Sequence, residues 1–329
     1  MIFFVTGGAG FIGEVFSKKL LDKYGSEDNE FIFLVRKSPM NFLDGYKGIK
    51  GKIRVVKGDI SDIESIENIF KKNKIDCVFH IASQIDYGRL KTKNYYKNNL
   101  DGAENIFKLS LKNKVKKVVY LSTAAVYHPT YDNFVDEEYP LSKKFTTRYT
   151  HSKYLAYNIA LQYKDLGLPI VSLLPVSVFG ERSPLFGPII KNIIKNKIIF
   201  IPKVKSRMSL VYVGDLADSM IKAFEKGKEG ESYLISGQHL ALRKIVLKSA
   251  EILNKEIKLL EIPSPLFTFL MFLSGLASRI TRIEFFYNIE LFNFIKGGLV
   301  AKHDKAIKEI GHKETDIDEN LAKMVESFK

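Results

Sequence analysis

The chain has 329 residues, 46% apolar and 27% charged, within the range of a soluble globular protein with one large α/β domain or a domain plus a smaller lobe. Its single cysteine, Cys77, excludes an intramolecular disulfide and suits a reducing compartment. The net charge of +14 would suit an anionic ligand, a nucleic acid or an anionic membrane, but the lysines are spread along the chain. With no RNA-binding signature and no zinc-ligand spacing, neither a nucleic-acid partner nor a metal is expected, and compositional bias is the favoured reading of the charge.

In chain order, "MIFFV" reads as a strand beginning at Met1 or Ile2. No secretory signal precedes it, so the cytoplasm is the expected location. There follows "VTGGAGFIG" (5–13), with four glycines in seven positions. It reads as G-x-G-x-x-G (Gly8, Gly10, Gly13) or G-x-x-G-x-x-G (Gly7, Gly10, Gly13). Either pattern gives a tight turn, a close approach of backbone N–H groups to a pyrophosphate, and a helix N-terminus carrying partial positive charge. No Lys-Ser/Thr pair follows, which excludes a mononucleotide P-loop. A dinucleotide is the expected ligand.

The next strand, "FIFLV" (31–35), ends in Arg36 and Lys37 instead of the acid that would hold an NAD ribose. A guanidinium forks onto a 2′-phosphate, so NADP is favoured over NAD. Strands "IRVVKG" (53–58), "CVFHIA" (77–82), "KVVYLS" (117–122) and "PIVSLL" (169–174) alternate with helical stretches near 11–24, 61–72, 93–113 and 143–166. This spacing predicts an α/β, Rossmann-type doubly wound parallel sheet with its ligand at the carboxyl ends of the strands. Beyond "LLPVSVFGERSP" the alternation breaks. "SLVYVGDLADSMIKAF" (209–224) reads as one more strand and helix returning to the sheet, and "GESYLISG" (230–237) as a short strand. The expected division is a dinucleotide-binding domain over 1–175 and 209–237, with a mostly helical substrate lobe over 176–208 and 238–329. An uncharged run, 266–278, is shorter than the ~20 residues of a membrane span. A buried or dimer-interface helix is favoured there over a membrane-surface helix, although Arg279 and Arg282 keep membrane contact through 266–282 open. A homodimer is the expected assembly.

Tyr149 and Lys153 in "RYTHSK" stand at i, i+4 and share a helix face. A nearby ammonium and an oxidised nicotinamide would favour the phenolate, giving a proton shuttle suited to hydride transfer. Ser122 and Thr123 place hydroxyls at a strand's carboxyl edge, where only one of two adjacent side chains can face the reacting group.

Together these residues resemble the extended short-chain dehydrogenase/reductase family, which includes nucleotide-sugar epimerases, dehydratases and dihydroflavonol- or steroid-type reductases. "VTGGAGFIG", with Phe11 and Ile12, resembles its cofactor turn. "GDI" resembles its adenine contact, through Asp59 and Ile60. "HIAS", with Ala82, resembles the strand end along the cofactor, and "NNLDGAENIF" its Asn-x-x-Gly segment, with Asn99 as a strut. "STAAVY" and "YTHSK" resemble the catalytic motifs, which implies catalytic roles for Thr123, Tyr149 and Lys153. "LLPVSVFG", with Pro175 and Val178, resembles the segment beside the nicotinamide, and "SLVYVGDLAD" the late strand and helix. The resemblance places the active hydroxyl three residues before Val126, at Thr123. Ala124 and Ala125 stand where the family's dehydratases carry Asp-Glu, which disfavours 4,6-dehydration. His128 replaces a usual glycine and, with Ser122, Arg182 and Arg207, is a candidate substrate contact. Met208 occupies the place of a diphosphate-binding arginine, with Arg207 one residue earlier. The implied function is NAD(P)-dependent hydride transfer at a secondary alcohol or ketone of a sugar-nucleotide-like or other small substrate. A nucleotide-sugar epimerase with retained NAD is the near rival. A non-catalytic NADP-binding regulatory or scaffold protein would ordinarily have lost Tyr149 or Lys153.

Overall fold

The computed structural model describes residues 1–85, 95–131, 133–281 and 289–329, with side chains described outside 275–281 and 289–291. The first half builds β1 (Ile2–Thr6), α1 (Phe11–Tyr24), β2 (Glu30–Val35), β3 (Lys52–Lys57), α2 (Ile63–Lys72), β4 (Cys77–His80), α3 (Gly102–Lys112), β5 (Lys117–Leu121), a short β6 (Phe134–Val135), α4 (Arg148–Asp165) and β7 (Ile170–Pro175). The second half builds β8 (Ser177–Phe179), α5 (Gly187–Lys195), β9 (Ile198–Lys203), β10 (Arg207–Tyr212), α6 (Val213–Lys226), β11 (Ser232–Ile235), β12 (His239–Ala241), α7 (Leu242–Ile252), β13 (Lys258–Pro263), α8 (Ser264–Thr281), α9 (Ile289–Gly297), β14 (Val300–Ala301), α10 (Asp304–Ile310) and α11 (Ile317–Glu326).

Seven strands form one parallel sheet in the order β11-β7-β5-β4-β1-β2-β3. The order reverses between β1 and β4, and a doubly wound sheet opens its ligand crevice at that reversal. Phenylalanines supply much of the core. Phe3 is fully buried and its ring meets Tyr24, Phe31, Phe79 and Phe224 at centroid distances of 5.4–6.2 Å. Phe4 on the other face meets Phe70 at 5.2 Å, because alternate side chains of a strand leave opposite faces. The doubly wound expectation from the strand–helix alternation is therefore met.

Two elements differ from the sequence reading. The strand at 209–212 does not return to the large sheet. β10 pairs with β8 and β12 in a separate three-stranded sheet, because β11 already occupies the edge beside β7. Only α6 returns, packing against α1. The lobe also gives part of its chain back, since Ala306 and Ile310 of α10 are buried in the larger core. A second apolar core, with Phe186, Ile190, Leu210, Ile245 and Met324, lies beneath the smaller sheets. Helix α8 buries Phe267 but leaves Leu266, Phe269, Leu270, Phe272 and Leu273 exposed, so of the buried or dimer-interface helix expected there, the chain by itself does not bury it. Of that stretch, Arg282 and the side chain of Arg279 lie outside the described residues. Among the described residues no helix is long and apolar enough to cross a membrane.

Phe3→Ala should lower the stability of the fold by about 3–5 kcal/mol, the usual cost of emptying a packed aromatic site. Denaturant unfolding of both proteins measures it, and a loss below about 1 kcal/mol would show that the ring cluster is not a keystone of the core.

Candidate active site

The turn after β1 opens a cleft of about 610 Å³ along the carboxyl ends of the sheet. Gly7 adopts φ +77°, and a Cβ there would stand 2.6 Å from the Ala82 backbone nitrogen, so the turn lies tight against the end of β4. Gly10 N–H donates to the Gly7 carbonyl at 3.0 Å, and Glu14 N–H to the Gly10 carbonyl at 2.8 Å as α1 begins. Gly10, Phe11, Ile12 and Gly13 line the cleft, so the first turn of α1 presents N–H groups without helical partners there.

At the end of β2, Arg36 lines the cleft with 57% of its side chain exposed. Its Nη1 lies 3.7 Å from Asp59 Oδ2 and donates to Asn98 Oδ1 at 3.5 Å. Burial alone would raise the Asp59 carboxyl. Two hydrogen bonds from Ser61, backbone N–H and Oγ–H, and the Arg36 charge instead hold it below the usual carboxylate range. Ile60 lies beside it in the lining. Asn99 is buried and acts as a strut. Its Oδ1 accepts from Gln84 N–H at 2.7 Å and from Ser83 Oγ–H at 3.2 Å, while its Nδ2 donates to the Gln84 carbonyl and to Ser152 Oγ, both at 3.0 Å. It thereby ties the segment after β4 to α4.

Helix α4 starts where it does because Thr147 caps it. Thr147 Oγ1 accepts from Thr150 N–H at 2.9 Å, and Thr147 N–H donates back to Thr150 Oγ1 at 3.3 Å. Within its first two turns, Tyr149 and Lys153 both line the cleft, together with Ser122 and Thr123 beyond the end of β5. The Thr123 hydroxyl lies close enough to the Tyr149 phenol to favour its ionised form, and it accepts from Ala125 N–H at 3.2 Å. Ser122 Oγ sits beside the Tyr120 phenol but makes no hydrogen bond of good geometry.

Lys153 is 2% exposed. Its Nζ donates to the Leu121 carbonyl at 3.0 Å and to the Tyr120 hydroxyl at 3.4 Å, and stands 5.0 Å from the Tyr120 ring centroid. Burial pushes its pKa down to about 7. Burial also pushes the Tyr149 phenol up to about 12, outweighing the Thr123 hydroxyl. The expected phenolate beside an ammonium is thus not what these residues produce by themselves, because the ammonium is directed to Tyr120 and Leu121. Beneath it, His80 stacks on Tyr120 at 5.6 Å, and its Nδ1 lies 2.8 Å from Thr6 Oγ1. His80 and Tyr120 escaped the sequence reading. Alternation was the available signal for Tyr120, which stands two residues before Ser122 in the stretch 117–122.

Ala82, Pro175 and Val178 also line the cleft. Its far end is apolar, formed by Ile85, Val176, Pro184, Leu185, Phe294 and Leu299. Three candidate substrate residues lie outside this lining. His128 is fully buried: its Nε2–H donates to the Phe294 carbonyl at 2.8 Å, its Nδ1 accepts from Thr146 Oγ1–H at 3.2 Å, and its ring stacks on Phe294 at 4.5 Å. Burial pushes it down to about 4, so it is neutral. Arg182 Nη2 pairs with Glu14 Oε2 at 3.0 Å. Arg207 is exposed, its guanidinium 5.7 Å from the Phe134 ring centroid. Among the described residues no cluster of three or more His, Cys, Asp or Glu could hold a metal ion.

Residues 3–236 match the family model described as "NAD dependent epimerase/dehydratase family". The chain is 25% identical over 281 residues to a UDP-N-acetyl-alpha-D-glucosaminuronate decarboxylase of Bacillus cytotoxicus, covering 79% of this chain and 82% of that one. It is 34% identical over 129 residues to a UDP-glucose 4-epimerase of Halalkalibacterium halodurans, covering 39% and 36%. Among solved structures, a Thermus thermophilus UDP-glucose 4-epimerase in complex with NAD superposes with a TM-score of 0.78 at 20% identity, covering 100% of this chain and 99% of that one. A Bacillus anthracis dTDP-glucose 4,6-dehydratase in complex with NAD gives 0.78 at 20% identity, covering 100% and 96%. At such identity these two likenesses speak for the fold.

Thr123→Val keeps the branched shape but removes the hydroxyl that touches Tyr149, so it should lower turnover far more than Ser122→Ala. Cofactor absorbance on any accepted substrate compares the two, and a larger loss at Ser122 would reverse the assignment.

Proposed function

This chain belongs to the NAD dependent epimerase/dehydratase family, and from that premise we propose that it is an NAD(P)-dependent oxidoreductase acting on a secondary alcohol or ketone. The observation that carries the reading is the meeting of Thr123, Tyr149 and Lys153 in the same cleft as the glycine turn. The residues fit a dinucleotide. The Gly7 turn has no room for a side chain against Ala82, and the buried Ser122 Oγ faces the cleft without a well-formed hydrogen bond. When bound, the nicotinamide would supply the hydride acceptor or donor.

The chain's own residues handle the proton. In the reductive direction the Tyr149 phenol, protonated up to about 12, gives its proton to the substrate oxygen. Thr123 orients that phenol through its hydroxyl. Lys153, held by Leu121 and Tyr120, adds positive charge to the site when protonated. The apolar far end excludes water from the reacting carbon.

NADP is the favoured cofactor, supported by Arg36 at the end of β2, more than half exposed and bordering the cleft. Its contact with Asp59 is long and exposed, so little interaction energy holds the guanidinium back from a 2′-phosphate. A nucleotide-sugar epimerase with retained NAD is the second reading, favoured by relatives named for UDP- and dTDP-sugar reactions. Mass spectrometry of the nucleotide released from purified protein separates them: tightly retained NAD favours the epimerase, an empty site or loosely held NADPH the reductase.

NADPH should bind more tightly than NADH, and Arg36→Asp should reverse that order. Equal affinities in the parent, by fluorescence titration, would refute the assignment. Tyr149→Phe should reduce turnover roughly 10²-fold or more while leaving dinucleotide affinity near the parent value. Near-parent turnover would remove Tyr149 from the proton transfer.

A further inference from the structure

Helix α8 inverts the usual pattern of a surface helix. Its exposed arc carries Pro265, Leu266, Phe269, Leu270, Phe272 and Leu273, and no charged residue occurs from 264 to 278. At 3.6 residues per turn these positions sweep about 160° of the helix surface. Ordinary soluble surfaces do not leave so broad an apolar arc to water. The helix is too short and too weakly apolar to span a bilayer, but it has the form of a helix that lies in a membrane surface.

Its surroundings supply the charge that such a surface attracts. α8 follows β13 directly, β13 pairs with β9, and Ser264 Oγ–H donates to the Lys203 carbonyl at 2.8 Å. Lys203 and Lys205 therefore stand at the start of the helix, and Lys195, Lys197 and Lys258 at the other end of the two-stranded sheet. All five are exposed and make no ion pair among the described residues. Two acids lie nearby, Glu256 and Glu261, and Glu261 is engaged by Arg243 at 3.6 Å. Ile198 and Phe200 on β9 extend the exposed apolar surface. The buried side of the helix connects toward the cleft. Phe267 of α8 packs on Phe292 of α9 at 5.0 Å, and two residues further Phe294 lines the cleft.

We propose that α8 docks the protein on an anionic lipid bilayer, its Leu and Phe side chains entering the interface and Lys203 and Lys205 at its start meeting the lipid phosphates. The test is flotation of the full chain with vesicles of phosphatidylcholine and phosphatidylglycerol, compared with phosphatidylcholine alone. The parent should float with the anionic vesicles, more weakly with the neutral ones, and less as salt rises. The double variant Phe269→Ser, Phe272→Ser changes only exposed side chains and should lower the partition coefficient at least tenfold, with melting temperature and dinucleotide affinity unchanged. Lys203→Glu with Lys205→Glu should weaken binding to anionic vesicles and flatten its salt dependence. Tyr149→Phe should float as the parent does, so the result does not depend on the proposed reaction. A parent that stays out of the vesicle fraction, or a serine variant that floats undiminished, overturns the proposal. A non-floating parent dimer that the serine variant turns into monomer would assign the face to a second copy of the chain.

Discussion

A methyl group added at Gly13 would stand 1.9 Å from the Gly7 carbonyl oxygen, so α1 can begin where it does only because residue 13 is glycine. The same turn is closed from the other side, where Gly7 meets the backbone at Ala82. Strand β1, the start of α1 and the end of β4 are thereby held at backbone contact at the point where the strand order reverses. The cleft exists because these three elements cannot separate or fill the space between them with side chains.

The buried amine is the costly part of the site. A charged lysine removed from water must recover its hydration from fixed dipoles. Lys153 does so with one carbonyl, one phenol and one ring face, an incomplete replacement that leaves its pKa near 7. His80, next in the stack, stays neutral, because burial first and the Lys153 charge second push it down to about 3. Neutral His80 can accept at Nδ1 from Thr6 Oγ1–H, and Thr6 Oγ1 in turn accepts from Ala82 N–H at 3.3 Å. Lys153, Tyr120, His80 and Thr6 therefore form one continuous column, and Thr6 is the residue immediately before the glycine turn. The amine of the candidate proton relay and the dinucleotide turn are two ends of one packed unit.

That division explains what could be read from the residues alone. The strand–helix alternation up to β7 and the glycine turn are local patterns, and the structure realises them. The pair Tyr149 and Lys153 is legible because a helix repeats every 3.6 residues. The pairing of β10 with β8 was not legible, since it depends on β11, a later strand, having taken the edge beside β7. His128 read as a candidate substrate contact because it stands where the resembled family usually has glycine. Its burial is set by Phe294 and Gly297, more than 160 residues away, and no short-range pattern announces such a contact. The direction of the Lys153 amine was hidden for the same reason: Tyr120 lies on another element and competes for it.

Segment 292–301 joins the two cores across the cleft. Ile295 belongs to the smaller core and its carbonyl accepts from Ser206 Oγ–H at 2.7 Å, while Leu299 belongs to the larger core and bridges to Met208. Just before them, the Phe294 carbonyl holds His128, which follows the turn carrying Ala124 and Ala125. The wall that faces a substrate is thus clamped to the segment after β5 through a neutral, fully hydrogen-bonded imidazole, not through a mobile charged contact. A substitution that charged or shrank this imidazole would act on the shape of the apolar end through Phe294, leaving Tyr149 and Lys153 on the capped helix α4. The proposed proton transfer and the shape of the apolar end would therefore rest on different contacts, the first on Tyr149 and Lys153 of α4 and the second on the clamp between His128 and Phe294.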